Sequence, residues 1–275
     1  MRNYSTKELV LTALFSAIII IMAFTPLGYI PLVVINATII HIPVILGSLF
    51  CGPKKGAFLG FIFGLTSFIK NTVTPASLSA FVFSPVLAAS MVGTSGIFKS
   101  AIICFVPRIL VGVVPYFVYL GVRKAVTSKQ KKLWATLLNL LIGLFLFVGA
   151  RAFLNKVFAE HILPGMVVTV IALVVGTITF VALEVITIRK NGSTSAFIYA
   201  GVTGALTNTI LVMGGIFVLY KDAYANALTI DPAAVLATIG GVISFNGVIE
   251  AIVAAIIVAA IGMVLNKIKP IEVRK

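Results

Sequence analysis

Three ionisable side chains interrupt long apolar stretches of the chain: Arg108, Glu184 and Glu250. A charge inside hydrocarbon is costly and persists where it faces a protein interior or a water-filled cavity, so each marks a candidate site. Arg108 follows Pro107 and offers a planar, permanently charged fork suited to a carboxylate. It also lies close enough to the end of its stretch to snorkel toward water; the other polar residues favour the fork. Glu250 stands four residues after Asn246, which on a helix places both on one face, with Ser244 nearby. A buried carboxylate of this kind needs a partner or a proton. Asn208, flanked by Thr207 and Thr209, falls near the middle of another apolar stretch, and Asn36, Thr38 and His41 gather at the start of a third. Any one of these amides or hydroxyls bonds a neighbouring helix as readily as a ligand. Together they imply a polar pocket for a small solute. Glu184, three residues from the end of its stretch and close to Arg189 and Lys190, reads instead as a side chain reaching the membrane surface.

The same inventory excludes several chemistries. There is no Walker A phosphate loop, no H-E-x-x-H and no G-x-S-x-G. The 2 histidines, His41 and His161, have no second ligand at metal spacing, so no metal or other cofactor is expected. Cys51 and Cys104 lie in or beside apolar segments and read as small hydrophobes. Without a catalytic constellation the chain is not expected to be an enzyme, and it has no means of hydrolysing ATP itself. A net charge of +14 raises nucleic acid as a partner, but that reading needs Lys and Arg clustered on one solvated face. Here they occupy the short breaks between apolar runs, and no nucleic-acid role is expected.

These residues must be positioned by membrane helices. The 275 residues are 60% hydrophobic and 10% charged, with a mean hydropathy of +1.18, against about 25% charged in an average globular domain. Runs near the ~20 residues that cross a bilayer predict eight spans, at 6–24, 37–52, 55–70, 100–122, 133–150, 165–187, 195–219 and 235–265. Arg2 and Lys7 ahead of the first run resemble a secretory signal, but no cleavage site follows, and the run is read as a retained span. Between Asn71 and Lys99, Pro75, Pro85, Gly93 and Gly96 predict a re-entrant or lid-like loop. With the N-terminus inside, Arg2, Lys7, Lys54, Lys55, the positive residues between 123 and 132, Arg189, Lys190 and those of the tail fall on the cytoplasmic side. Only Lys70, Lys99, Arg151, Lys156 and Lys221 fall outside. That asymmetry predicts both termini in the cytoplasm, and it puts most of the polar candidates in the outer half of the membrane.

Two stripes of small residues suit close helix approach: Ala13 with Ala17 in the first span, and Gly56, Gly60 and Gly64 in the third. The glycines read as internal packing. The alanine pair suits internal packing or a docking face for another membrane protein equally well.

Several segments resemble the substrate-binding S component of energy-coupling factor (ECF) vitamin transporters, most of all its pantothenate-type members. They are T-A-L-F-S-A at 12–17, T-P-L-G-Y-I-P-L at 25–32, I-N-A-T-I-I-H-I-P-V-I-L-G at 35–47 and C-G-P-K-K-G-A-F-L-G-F-I-F-G-L-T-S at 51–67, then G-A-L-T-N-T-I-L-V-M-G-G at 204–215 and N-G-V-I-E-A at 246–251. The resemblance implies an all-α polytopic bundle forming one transmembrane domain over 1–275. A six-helix core at 5–124 and 195–268 is interrupted by an inserted helical hairpin at 125–194. It implies a ligand pocket on the extracellular side, capped by the loops after the first and third spans, and docking of the Ala13 and Ala17 face onto a membrane coupling subunit, the T component. Two cytoplasmic ATPases would drive that subunit, and the S component would tilt in the bilayer to carry its ligand across. The expected ligand is a small water-soluble vitamin, pantothenate first, with its carboxylate on Arg108 and its hydroxyls and amide met by Asn208, Asn246, Glu250 and the Asn36–His41 segment. A stand-alone carrier, with Glu250 as a proton or cation site, is the competing expectation.

Overall fold

The computed structural model describes residues 6–31, 36–158, 164–189, 193–268 and 270–271. Arg2, Glu160, His161, Lys190, Lys269, Arg274 and Lys275, and the side chains of Lys7, Asn36, Lys156 and Arg189, lie outside this description. The fold is a polytopic helical bundle whose one departure from helix, among the described residues, is a small antiparallel β-hairpin.

α1 (Thr6–Phe24) is followed by a 3-10 turn at Pro26–Gly28 and by strands β1 (Tyr29–Pro31) and β2 (Asn36–Thr38), paired Tyr29 to Thr38. α2 (His41–Cys51) therefore starts later than the span expected at 37–52. The run Thr38–Ile39–Ile40 is β-branched and favours extended backbone, and the Thr38 N–H is spent on a distant side chain rather than on a helix. At 11 residues α2 is too short to cross a bilayer alone. It turns into α3 (Pro53–Val73) through Gly52, whose φ of +88° suits glycine, and Pro53 opens the new helix where its missing N–H costs nothing.

The segment expected as a loop between 71 and 99 is more regular. A 3-10 turn at Leu78–Phe83 leads into α4 (Pro85–Val92), whose first turn is capped by the Ser84 hydroxyl accepting from the Leu87 N–H at 3.3 Å. The fourth span divides into α5 (Ser95–Val111) and α6 (Val114–Thr127) at Gly112 and Val113. α7 (Lys131–Val157) and α8 (Gly165–Arg189) are the pair expected as an inserted hairpin, and Gly143 and Gly176 let their backbones meet. α9 (Ser193–Leu228) is longer than the span expected at 195–219 and kinks at Tyr220. The last span begins as α10 (Val235–Val242), passes through a π turn at Ile243–Gly247 and ends as α11 (Val248–Ile268).

Among the described residues, six helical stretches are long and apolar enough to cross a membrane, beside the shorter apolar helices Glu8–Phe24 and His41–Cys51. The protein is a multi-pass membrane protein. α9 runs through the centre, packed against α2, α5, α6, α8 and α11. The glycine stripe does what its spacing predicts: side chains at Gly56, Gly60 and Gly64 would strike Gly112, Arg108 and Cys104 on α5, so α3 and α5 meet backbone to backbone. Ala135, Ile142 and Leu183 of the inserted pair join the main buried cluster with α2, α9 and α11. Glu184 is half-buried and has partners on the neighbouring helix. Its two oxygens accept from the Thr136 hydroxyl at 2.8 Å and the Asn139 amide at 2.7 Å, because α7 offers these donors at the same depth.

Candidate functional site

Arg108 is 6% exposed and folds back along its own helix. The reason lies one residue earlier. Pro107 has no N–H, so the carbonyl four residues before it, that of Ile103, loses its helical donor. Arg108 Nη1 supplies the replacement at 2.6 Å, while Nη2 reaches Ser67 Oγ on α3 at 3.5 Å. The guanidinium lies 5.4 Å from the Phe63 ring centre and 5.0 Å from that of Phe83, a double cation–π seat between α3 and the 3-10 turn that follows it. Snorkelling is thereby replaced by an interior position.

The segment after α3 closes over this charge. Phe81 packs edge-on against Tyr220 at the kink of α9, with ring centres 5.5 Å apart. The Tyr220 hydroxyl donates to the Gly96 carbonyl at 2.9 Å and is paired with the Ser100 hydroxyl at 2.9 Å. Cys104 Sγ donates to the Phe83 carbonyl at 3.3 Å. Phe81, Val82 and Ala88 form a buried cluster with Val212, Ile216 and Tyr224 of α9 and with Val235 and Ile239. The cap is thus a packed body.

Glu250, also 6% exposed, joins three elements. One carboxylate oxygen accepts the Thr38 backbone N–H at 2.8 Å and the other accepts the Thr209 hydroxyl at 3.0 Å. β2, α9 and α11 therefore meet at one carboxylate. Next to Thr209 in sequence, Asn208 is 8% exposed and its Oδ1 has no hydrogen-bond partner; His41, fully buried at the start of α2, has none for either ring nitrogen. Orphaned buried polar atoms cost about 1–3 kcal/mol each, and a bound polar solute is one way of satisfying them. Asn246 is half-buried within the π turn, four residues ahead of Glu250. Asn36 opens β2, with its side chain outside the description. No group of three or more His, Cys, Asp or Glu capable of holding a metal occurs among the described residues.

Sequence reasoning missed Ser67, Phe63 and Phe83, and named Thr209 only as a neighbour of Asn208. A signal existed for one feature: Pro107 announces a freed carbonyl that the next residue can reach.

On the far side of α1, Ala13 and Ala17 are exposed, amid exposed Leu9, Ile20 and Phe24. Next to them a groove of about 920 Å³ runs between α1, α2 and α11, lined by Leu14, Ile18, Ile42, Leu46, Ile257 and Ile261.

The family described as "ECF transporter, substrate-specific component" matches residues 7–188. The chain belongs to this family. It is a transport component and not an enzyme. A relative from Lactococcus lactis subsp. cremoris (strain MG1363), named pantothenic acid transporter PanT, is 33% identical over 190 residues, covering 62% of this chain and 92% of the relative. A second, the pantothenate transporter PanT of Leuconostoc mesenteroides subsp. mesenteroides, is 36% identical over 119 residues, 42% of this chain and 51% of its own length.

Proposed function

We propose that this chain is the vitamin-capturing subunit of an ECF-type importer, with pantothenate as its ligand. The carrying observation is that Glu250 ties β2 to α9 through Thr38 and Thr209, while His41 on α2 and Asn208 on α9 hold buried polar atoms with no hydrogen-bond partner. Pantothenate combines one carboxylate with hydroxyls and an amide, the complement of this set. Its carboxylate meets Arg108. Its hydroxyls and amide meet Asn208, Asn246, Glu250 and the Asn36–His41 segment, with Thr38 contributing from the same strand. The names of the two relatives support the choice of ligand.

Both termini face the cytoplasm, in keeping with the charge asymmetry of the loops. The exposed Ala13 and Ala17 face docks on a membrane coupling subunit, which two cytoplasmic ATPases drive. Tilting of the whole body in the membrane then carries the ligand inward. One purified sample tests this. Titration with pantothenate measures binding, and reconstitution in vesicles measures uptake with and without the coupling subunit and ATPases. We expect saturable binding by the chain alone but uptake only with partners and ATP. Uptake by the chain alone, following an ion gradient without ATP, would establish the stand-alone carrier instead, with Glu250 as its proton or cation site.

A further inference from the structure

The inserted α7–α8 pair is fastened to the bundle at two depths. Near the start of α7, the Tyr199 hydroxyl donates to the Leu138 carbonyl, and the Thr187 and Ser195 hydroxyls are paired at 2.9 Å. At the other depth the contact falls on the π turn. Phe153 of α7 stacks on Phe245 with ring centres 5.0 Å apart and planes 13° from parallel, and Gly149 makes room for Val248. The opposite side of the same turn meets α9, where a methyl added to Gly247 would come within 3.2 Å of Thr209 Cγ2. Thr209 is the hydroxyl that donates to Glu250. A π turn is wider than an α turn and uncommon unless its surroundings hold it. This one is held between an aromatic ring from the insertion and the helix bearing Thr209.

We infer that Phe153 is a positioning residue for the binding site: it presses the π turn against α9 and so fixes the Thr209–Glu250 hydrogen bond that shapes the ligand's surroundings. The insertion is then part of how this chain recognises its ligand. The inference rests on the pantothenate reading.

The test is pantothenate titration of the full-length chain and its variants, with thermal unfolding of each. Phe153→Ala is expected to weaken binding roughly tenfold, about the loss of one net hydrogen bond, and Phe153→Tyr to restore it. Thr209→Val weakens binding by a similar factor, and the double variant Phe153→Ala/Thr209→Val is no worse than Thr209→Val alone, because both act on one bond. Gly149→Leu, which displaces Val248 from the same α7 side, weakens binding as Phe153→Ala does. Unchanged affinity in Phe153→Ala, or losses that multiply in the double variant, overturns the inference; if Glu250→Gln still abolishes binding in the same series, the pantothenate reading stands without it. Lower unfolding temperature at unchanged affinity marks a purely structural contact and also overturns it. A native chain that binds no pantothenate removes both.

Discussion

Pro107 and Arg108 act as one unit. The imino acid frees a carbonyl inside the membrane, the guanidinium takes it, and the side chain is locked beneath the cap between two phenylalanine rings. A charge held this firmly has little conformational freedom left to lose on meeting an anion. Arg108→Ala is therefore expected to weaken pantothenate by roughly ten- to a hundredfold, the range for a hydrogen bond to a charged group. A neutral analogue lacking the carboxylate should lose far less, as competition binding would measure. Equal losses for the two would mean that Arg108 serves the cap alone. Arg108, Glu250 and Asn208 were legible because polar atoms within apolar runs are conspicuous. The rings around Arg108 were not, since phenylalanine in a membrane span carries no signal until tertiary structure says what it faces.

Among the elements, α3 and α5 show how spacing becomes contact. Three glycines at intervals of four make a flat strip, and α5 lies on it so closely that a methyl at Gly60 would overlap the Arg108 carbonyl. Gly60→Ala should destabilise the fold by about 1–3 kcal/mol, the usual cost of overpacking. Gly214→Ala, where no atom stands within 4 Å of the added methyl, should be neutral. Thermal unfolding in detergent compares them, and equal melting temperatures would contradict the backbone contact. Span positions were readable from the apolar runs. The β-hairpin before α2, the π turn before α11 and the 3-10 turn over α5 were not. Each depends on a partner distant in sequence: Glu250 for the Thr38 N–H, Phe153 for Phe245, Tyr220 for Phe81.

For the whole molecule, the proposed ligand site and the proposed docking face fall on different surfaces. Arg108, Asn208 and Glu250 are buried, while Ala13 and Ala17 look outward from α1. Replacing both alanines with Leu should abolish co-purification with the coupling subunit and ATP-driven uptake while leaving pantothenate affinity within about twofold, since surface changes away from a site perturb it little. A matching loss of affinity would mean that the two surfaces are not independent. That α7 and α8 are helices was clear from their two apolar runs. Their lacing to α9 and to the π turn was not, because hydroxyls and rings that pair across helices leave no local pattern.

The shortness of α2 sets the transport task. Eleven residues rise only about 16 Å, roughly half of a hydrocarbon layer near 30 Å thick. His41 therefore lies about half a hydrocarbon thickness from the turn at Gly52. On the proposed import reading, a solute seated there would have shed its water and descended halfway by affinity alone, and the free energy of ATP would serve only the second half of the journey and the letting go.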